Sequence, residues 1–230
     1  MRRCGKHEEA RAYLEESLTL FRVIGDTEGT GAALSDLGDL ALRLGNSSEA
    51  RRFFGECGAI SGTWSLRLLK FAEIALLEGD YAKARRLAEE DAAGRQSSPQ
   101  RLGEALLIVA SAAMYQNDLP LAYSQCRESL VQFHKIGSKP FITKALRRFA
   151  YLAMMQKQRE RAVRLLGADA FCCETLGMPL PPCESDEYWR NTEAARQKLG
   201  GAAFAVAWER GRTMTWEQAV AYALEENGRA

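Results

Sequence analysis

One short phrase recurs along the chain, and this recurrence limits the possible folds more than any other feature. The phrase "GDYAKARRL" begins at Gly79, and related phrases begin at Gly45, Asn117 and Lys157, with a partial copy at Gly5. The fifth residue after each start is alanine, and these alanines are separated by 40, 34, 38 and 40 residues: Ala10, Ala50, Ala84, Ala122 and Ala162. A period of this length predicts a protein built from helical repeats.

Other small residues occupy fixed places in the same repeat. Seven residues before each full start lies a glycine or alanine, and three positions later comes another alanine. The first set is Gly38, Ala72, Ala110 and Ala150, and the second is Ala41, Ala75, Ala113 and Ala153. Small residues allow two helices to approach closely, and apolar residues three and four positions apart form a buried stripe. Each repeat is therefore predicted to be an antiparallel helix pair.

Residues that start and stop helices agree with this prediction. Capping residues precede several of the predicted helices, namely Asn46, Asp80, Ser98 and Asp118. No run of alternating apolar residues with β-branched enrichment indicates a strand. Because one helix pair cannot bury its own apolar face, successive pairs must stack. The predicted fold is all-α, a right-handed α-α superhelix, or solenoid, with a concave and a convex side.

The repeat resembles a known family. Small residues at Ala72 and Ala84, the glycine at Gly79 and the aspartate directly after it resemble the tetratricopeptide repeat, and the resemblance covers residues 6–176. Two features differ, because alanine replaces the usual aromatic residue three positions after the first small residue, and the closing proline is absent. The resemblance implies a binding scaffold with a ligand groove on its concave side.

The repeat pattern ends near Leu176, where "LGMPLPPCESDEYW" forms a proline-rich connection. Three shorter helices are predicted beyond it, at residues 185–199, 202–210 and 216–226, and Thr215 and Gln218 have the spacing of a capping box. We expect tetratricopeptide-like repeats at residues 1–177, roughly four and a half helix pairs. Residues 178–230 are expected to form a C-terminal helical cap packed on the last repeat.

Residues 161–225 carry a second resemblance. The phrases "RAVRLLGADA", "GMPLPP" and "LGGAAFAVAWERGRTMTWEQAVAYALE" are similar to the end of the sensor arm in bacterial signal-transduction ATPases, including LuxR-type activators. That family has an ATP-binding module upstream, repeats that receive a signal, and in some members a helix-turn-helix. This chain has no GxxxxGK[ST] loop and begins on the second helix of a repeat. We therefore expect a fragment of a longer regulator or a stand-alone descendant.

The balance of charges excludes strong global steering. There are 31 basic and 30 acidic residues, so the net charge of +1 creates no field that would attract nucleic acid or a membrane. The N-terminus lacks the apolar stretch of a secretory signal. The longest uncharged run, residues 105–117, is shorter than the roughly 17 residues that a membrane-spanning helix needs. We expect a cytoplasmic protein without membrane contact.

The sequence contains none of the common catalytic or metal-binding motifs that we considered. HExxH and GxSxG are absent, since "GAISG" at Gly58 has the wrong order, and His134 is expected to interact with a helix end. The six cysteines are expected to be reduced, and the cluster of Cys172, Cys173 and Cys183 lacks CxxC spacing. The chain is predicted not to be an enzyme and to use no cofactor or metal, and hydrolase activity is the alternative.

Charge is unevenly distributed along the chain. Residues 135–164 carry nine basic residues and one acidic residue, Glu160, whereas residues 8–39 carry eight acidic and two basic residues. One interpretation is that both segments are solvated outer faces. The other is that the basic segment binds an acidic partner or a second copy of the chain. Nucleic-acid binding through residues 135–164 is an alternative, although few aromatic residues lie among the basic ones.

Helix phase and the tetratricopeptide resemblance together predict a binding groove. An arginine beside a tyrosine suits a carboxylate-bearing ligand. The predicted groove residues are Lys144, Arg147, Tyr151, Met155, Tyr115, Ser111 and Glu73. An alternative is that this surface packs against another domain. The leading hypothesis is a non-catalytic scaffold that binds a protein, a peptide or a small effector, as the signal-sensing module of a bacterial transcriptional regulator. A homodimer through the N-terminal helix is a further possibility.

Overall fold

The computed structural model describes residues 2–61, 68–94 and 98–225, with the backbone alone at residues 2–5 and 61. Three positions used above lie outside the described residues: the Cys4 side chain, Gly62 of "GAISG" and Glu226 of the last predicted helix. Every regular element in the described ranges is an α-helix, which confirms the all-α prediction there. No helix in these ranges is long and apolar enough to cross a membrane.

Twelve helices follow one another through the described ranges. They are α1 (Arg2–Ile24), α2 (Thr27–Arg43), α3 (Ser47–Ser61), α4 (Leu68–Leu77), α5 (Tyr81–Gly94), α6 (Pro99–Tyr115), α7 (Leu119–Lys135), α8 (Lys139–Met155), α9 (Arg159–Thr175), α10 (Pro182–Leu199), α11 (Gly201–Arg212) and α12 (Trp216–Leu224). The three helices predicted after the proline-rich connection are α10, α11 and α12, with ends that differ from the prediction by at most three residues.

The recurring phrase marks the turn between two helices. Its first residue has a positive φ in all four full copies, namely 79° at Gly45, 77° at Gly79, 60° at Asn117 and 63° at Lys157. Glycine adopts this left-handed conformation without a steric cost, whereas other residues lose roughly 1–2 kcal/mol. The chain reverses direction at each of these positions, so the phrase recurs because the turn recurs.

Several predicted caps are present. The Asn46 Oδ1 atom accepts a hydrogen bond from the Glu49 N–H at 3.2 Å, and the Asp118 Oδ1 atom accepts one from the Leu121 N–H at 3.3 Å. Thr215 forms the predicted capping box at the start of α12. These bonds satisfy N–H groups that a helix start leaves without partners. They fix where the helices begin.

The chain divides into two compact units. One comprises Met1–Leu87 with Pro181–Cys183, and the other comprises Ala88–Leu180 with Glu184–Ala230. The expected boundary between residues 177 and 178 separates repeats from cap and remains a prediction. In the first unit α1 packs on α2, α2 on α3 and α3 on α4. From α1 to α4, each helix thus contacts its neighbour in the sequence, as the repeat pattern predicts.

The small residues of the repeat lie at close helix contacts. Four of the five recurring alanines are completely buried: Ala50, Ala84, Ala122 and Ala162. At Gly38 an added Cβ would lie only 2.7 Å from the ring of Phe54, so a larger residue would force the two helices apart. Ala10, the first alanine of the series, is instead exposed on α1. Within the described residues, the recurring alanine is therefore buried from the second copy of the phrase onward.

The second unit contains the last repeats and the three C-terminal helices. Here α6 packs on α7, α7 on α8 and α8 on α9, while α11 packs along α9 and α12 contacts α7, α8 and α9. A large apolar core includes Leu146 and Phe149 of α8 together with Val220 of α12. A second cluster joins Val163 of α9 to Phe204 of α11. The C-terminal helices therefore share the core of the last repeats.

Candidate functional site

Arg147, the central residue of the predicted groove, is buried inside the second unit. Its Nε atom donates to Asp169 Oδ2 at 3.0 Å, and its Nη2 atom donates to Asp169 Oδ1 at 3.2 Å. Its Nη1 atom donates to Glu184 of α10. The predicted carboxylate-binding chemistry is present, but the carboxylates belong to this chain. The sequence predicts that Arg147 lines an open groove, but the structure buries this side chain. A role for Arg147 in binding an external ligand remains a prediction.

The sequence contained a signal for the missed partner Asp169. Asp91 and Asp169 each lie seven residues after a recurring alanine, Ala84 and Ala162, and therefore share one buried helix register. Both carboxylates pair with an arginine, because Arg101 Nη2 lies 2.8 Å from Asp91 Oδ1. A buried carboxylate requires a paired charge or several hydrogen bonds. An aspartate in this register therefore indicates a nearby arginine inside the protein.

Burial and charge act in opposite directions at this cluster. Burial disfavours the charged Arg147 guanidinium, but Asp169 and Glu184 outweigh that cost and raise its pKa. Burial raises the pKa of Asp169, and Arg147 opposes the rise. Burial likewise works against a charged Glu184, but Arg148, Arg147 and Lys144 together hold its pKa below the usual value. Glu184 is therefore bound as a carboxylate by three positive charges.

A second carboxylate of α10 is held one turn further along. Tyr115 of α6 donates its hydroxyl to Glu187 Oε1 at 2.7 Å, and Arg148 Nη1 donates to Glu187 Oε2 at 3.4 Å. The next residue of α10, Tyr188, is buried, and its ring centroid is 5.8 Å from the Arg147 guanidinium carbon. Arg147, Arg148 and Tyr115 of the repeats thus contact two glutamates and one tyrosine of α10.

The other predicted groove residues have different environments. Met155 is 40% exposed, and Lys144 Nζ lies 5.3 Å from the ring centroid of Phe141. Ser111 is buried and donates its hydroxyl to the Leu107 carbonyl of its own helix at 2.8 Å. Tyr151 is also buried, and its hydroxyl has no hydrogen-bond partner within the part of the chain that the structure describes. Tyr151 therefore keeps an unused donor beside Arg148.

Glu73, the remaining predicted residue, belongs to the first unit, where its carboxylate lies 3.6 Å from Lys70 Nζ. The structure thus brings Tyr115, Lys144 and Arg147 together around two carboxylates of α10. It also adds four residues that the sequence analysis did not select: Arg148, Asp169, Glu184 and Glu187.

The basic segment, residues 135–164, is largely engaged by the C-terminal helices. Besides the two arginines that hold Glu184 and Glu187, Arg161 Nη2 donates to the carbonyls of Ala223 and Glu225, both at 3.0 Å. Three further residues make contacts of the same kind: Lys139 with the Trp216 ring, Arg159 with the Lys198 carbonyl, and Arg164 with the Tyr222 ring. Six of the nine basic residues therefore contact α10, α12 or the residues beside them.

The thiols of α9 are poorly suited to metal or redox chemistry. Burial, assisted by Asp169, raises the pKa of Cys172 to about 12 and that of Cys173 to about 11. Thiolates are the reactive and metal-binding form of cysteine. Among the described residues, no group of three or more His, Cys, Asp or Glu side chains could hold a metal ion.

Comparison with known families supports one of the two resemblances. Residues 1–60 match a family model described as "Tetratricopeptide repeat", a stretch that includes α1, α2 and nearly all of α3. No curated protein matches the chain. The match supports a tetratricopeptide repeat protein, and such repeats suggest a protein-binding scaffold.

Proposed function

We propose that the chain is a non-catalytic protein-binding scaffold whose binding surface is the face of α6 and α8 around Tyr115, Arg147 and Arg148. One observation carries this proposal: two consecutive arginines of a repeat helix bind carboxylates of a helix that lies outside the repeats. Charge-assisted hydrogen bonds of this kind are stronger than neutral ones. The face thus has the chemistry to recognise an acidic helical segment.

Two further side chains support a ligand role for this face. Tyr115 is 47% exposed, so its ring can contact a partner while its hydroxyl binds a carboxylate. The buried Tyr151 hydroxyl has no described partner, and a buried donor left unpaired costs about 1–3 kcal/mol. A ligand oxygen placed near Tyr151 would recover that free energy.

The scaffold proposal is tested with a fluorescent synthetic peptide of residues 184–199. The protein is the full chain carrying Glu184→Gln and Glu187→Gln, which weakens the hold on its own α10. Saturable binding by fluorescence anisotropy is expected, with about tenfold weaker binding after adding Arg148→Gln, the effect of losing roughly 1.4 kcal/mol. Lys157→Gln, an exposed basic change in the same segment, is the matched control. Absence of saturable binding, or equal effects of Arg148→Gln and Lys157→Gln, overturns the proposal.

We further propose that this scaffold is the signal-sensing module of a bacterial transcriptional regulator in the cytoplasm, with a protein, peptide or small effector as its signal. The support is the resemblance of residues 161–225 to the end of such sensor arms. Sequencing the DNA on both sides of the coding region tests it. A phosphate loop in frame upstream or a helix-turn-helix downstream is expected, and stop codons on both sides would contradict a regulator arm.

Nucleic-acid binding through residues 135–164 has less support. Such binding requires basic side chains that can neutralise phosphates. Six of the nine basic residues in this segment instead contact the C-terminal helices, among them Arg147, Arg148 and Arg161.

A further inference from the structure

Helix α10 is attached to the second unit by few buried residues. Only three of its 18 residues are buried, whereas ten of 17 are buried in α8 and eight of 17 in α9. Its Trp189 side chain is 59% exposed. Since burial of apolar area is the main favourable term in helix docking, α10 is held less firmly than the repeat helices that it contacts.

Polar side chains make up the rest of this attachment. Glu184 and Glu187 are three residues apart and therefore lie on one face of α10, where Arg147, Arg148 and Tyr115 bind them. Surface-accessible ion pairs contribute little to stability, and Glu187 is still partly exposed. Any other helix that presents carboxylates with the same spacing offers these three residues the same partners.

The neighbouring C-terminal helices have attachments of their own. Helix α11 crosses α9 where Gly167 and Gly211 bring the two backbones into contact. The end of α12 is held by Arg161, which donates to the carbonyls of Ala223 and Glu225. Neither attachment uses a residue of α10. Two residues of α10, Ala195 and Leu199, do join the apolar cluster that α9 and α11 share. Release of α10 therefore removes that part of the cluster but leaves the glycine contact of α11 and the Arg161 hydrogen bonds to α12 in place.

We propose that α10 is a displaceable intramolecular ligand, and that the partner of this scaffold is an acidic amphipathic helix carrying two carboxylates three residues apart. The partner binds Arg147, Arg148 and Tyr115 in place of Glu184 and Glu187. This inference rests on the proposed scaffold function and adds to it the class of partner and the way in which access is controlled. In the resting protein, α10 lowers the affinity for any such partner by competing for the same three residues.

The experiment compares the full wild-type chain with the Glu184→Gln/Glu187→Gln variant. The probe is an isotope-labelled peptide of residues 184–199, so that its fragments differ in mass from those of α10. The variant is expected to bind the probe at least about tenfold more tightly than the wild type, the result of removing roughly 1.4 kcal/mol of competition. A probe peptide with both glutamates replaced by glutamine is expected not to bind.

Hydrogen exchange measured by mass spectrometry supplies the second readout. Saturating the wild-type chain with the probe is expected to speed amide exchange in residues 184–199 and leave α9 unchanged. Glu193→Gln is the matched control, because Glu193 is an exposed carboxylate of α10 that pairs with Arg196 of the same helix. If the double variant does not give a cooperative thermal transition, the single variant Glu187→Gln replaces it.

The outcomes separate the two proposals. Equal affinity of the wild type and the variant, or binding without faster exchange in α10, shows that α10 is a fixed part of the protein and overturns the inference while the scaffold function stands. Absence of binding to both proteins overturns the scaffold function as well. Tighter binding by the variant together with faster exchange of α10 supports both proposals.

Discussion

Arg147 of α8 and Asp169 of α9 form a two-point ion pair inside the second unit, with N–O distances of 3.0 and 3.2 Å. The side chains are 4% and 1% exposed. The pair joins the two helices of the last repeat. It also orients the guanidinium so that the remaining nitrogen, Nη1, faces Glu184 of α10. A structural pair between repeat helices thus positions the group that binds α10.

Replacement of Asp169 by alanine is expected to destabilise the protein strongly. Removing one partner of a buried ion pair leaves an uncompensated charge, at a cost of about 3–5 kcal/mol. Urea unfolding followed by circular dichroism measures this loss. Glu174→Gln is the control, because Glu174 pairs with Arg212 but is 62% exposed, and a much smaller change is expected. Equal effects of the two substitutions would show that burial does not strengthen the requirement for Asp169.

The contact between α9 and α11 requires glycine on both helices. A Cβ added at Gly167 would overlap the Trp208 carbonyl oxygen, and one added at Gly211 would overlap the Arg164 carbonyl oxygen. Gly211→Ala is therefore expected to lower the free energy of unfolding by about 1–3 kcal/mol, the usual cost of overpacking. The measurement is thermal or urea unfolding of the full chain.

Gly201 provides the matched control on the same helix. An added Cβ there meets no atom within 4 Å, so Gly201→Ala is expected to be neutral or to stabilise by up to about 1 kcal/mol. Similar losses for Gly201→Ala and Gly211→Ala would contradict a backbone contact between α9 and α11.

The ion pair of Arg147 with Asp169 and the glycine contact between α9 and α11 were not among the features predicted from the sequence. The recurring alanines, the left-handed turn residues and the caps follow from local rules, because helix spacing and φ preferences act over a few residues. They are sufficient to predict an all-α stack and the positions of α10, α11 and α12. The contact of Arg147 with Glu184 of α10 was not predictable in this way, because helix phase specifies a face and does not specify what covers it.

The contact of α10 with Arg147 could have been suspected from the distribution of charges along the chain. Glu184 and Glu187 lie just after the proline-rich connection, and the basic segment lies within the last predicted repeat. Opposite charges in two neighbouring parts of a chain indicate an internal contact as readily as an external partner. The choice between them depends on the fold of the connection, which residue types alone do not determine.

Acid is expected to weaken the hold on α10 through Glu184. Burial opposes its charge, but Arg148, Arg147 and Lys144 lower its folded-state pKa below the usual value of 4.5, while Asp169 and Glu187 also face the cluster. Ionised Glu184 therefore stabilises the folded chain above the unfolded pKa, and this contribution is lost as the pH falls through the folded pKa. Unfolding free energies at several pH values below 6 measure the effect.

Glu184→Gln isolates this contribution from that of Asp169, whose raised pKa gives a pH dependence of opposite sign. The variant is expected to lose less stability than the wild type between neutral pH and acid. A parallel pH dependence of the two proteins would contradict a lowered pKa for Glu184.

Helix α1 is expected to mediate self-association. Tyr13, Leu20 and Ile24 are 70%, 58% and 71% exposed, and they form one apolar stripe with Ala10, whose four counterparts are buried. Light scattering at increasing concentration should show a dimer that Leu20→Glu abolishes. Thr19→Glu adds the same charge at the next position, on another side of α1, and should not change the mass. A wild-type monomer at high concentration would rule out this dimer.

The most direct test of the account is a double-mutant cycle between Arg147 and Glu184, read from urea unfolding of the full chain. The variants are Arg147→Gln, Glu184→Gln and their combination. If Arg147 holds α10 through Glu184, the two substitutions are expected to be coupled by at least about 1 kcal/mol, whereas a control cycle between Arg147 and Glu193 is additive. Additivity of Arg147 and Glu184 within about 0.5 kcal/mol would show that the repeats do not bind α10 through this carboxylate.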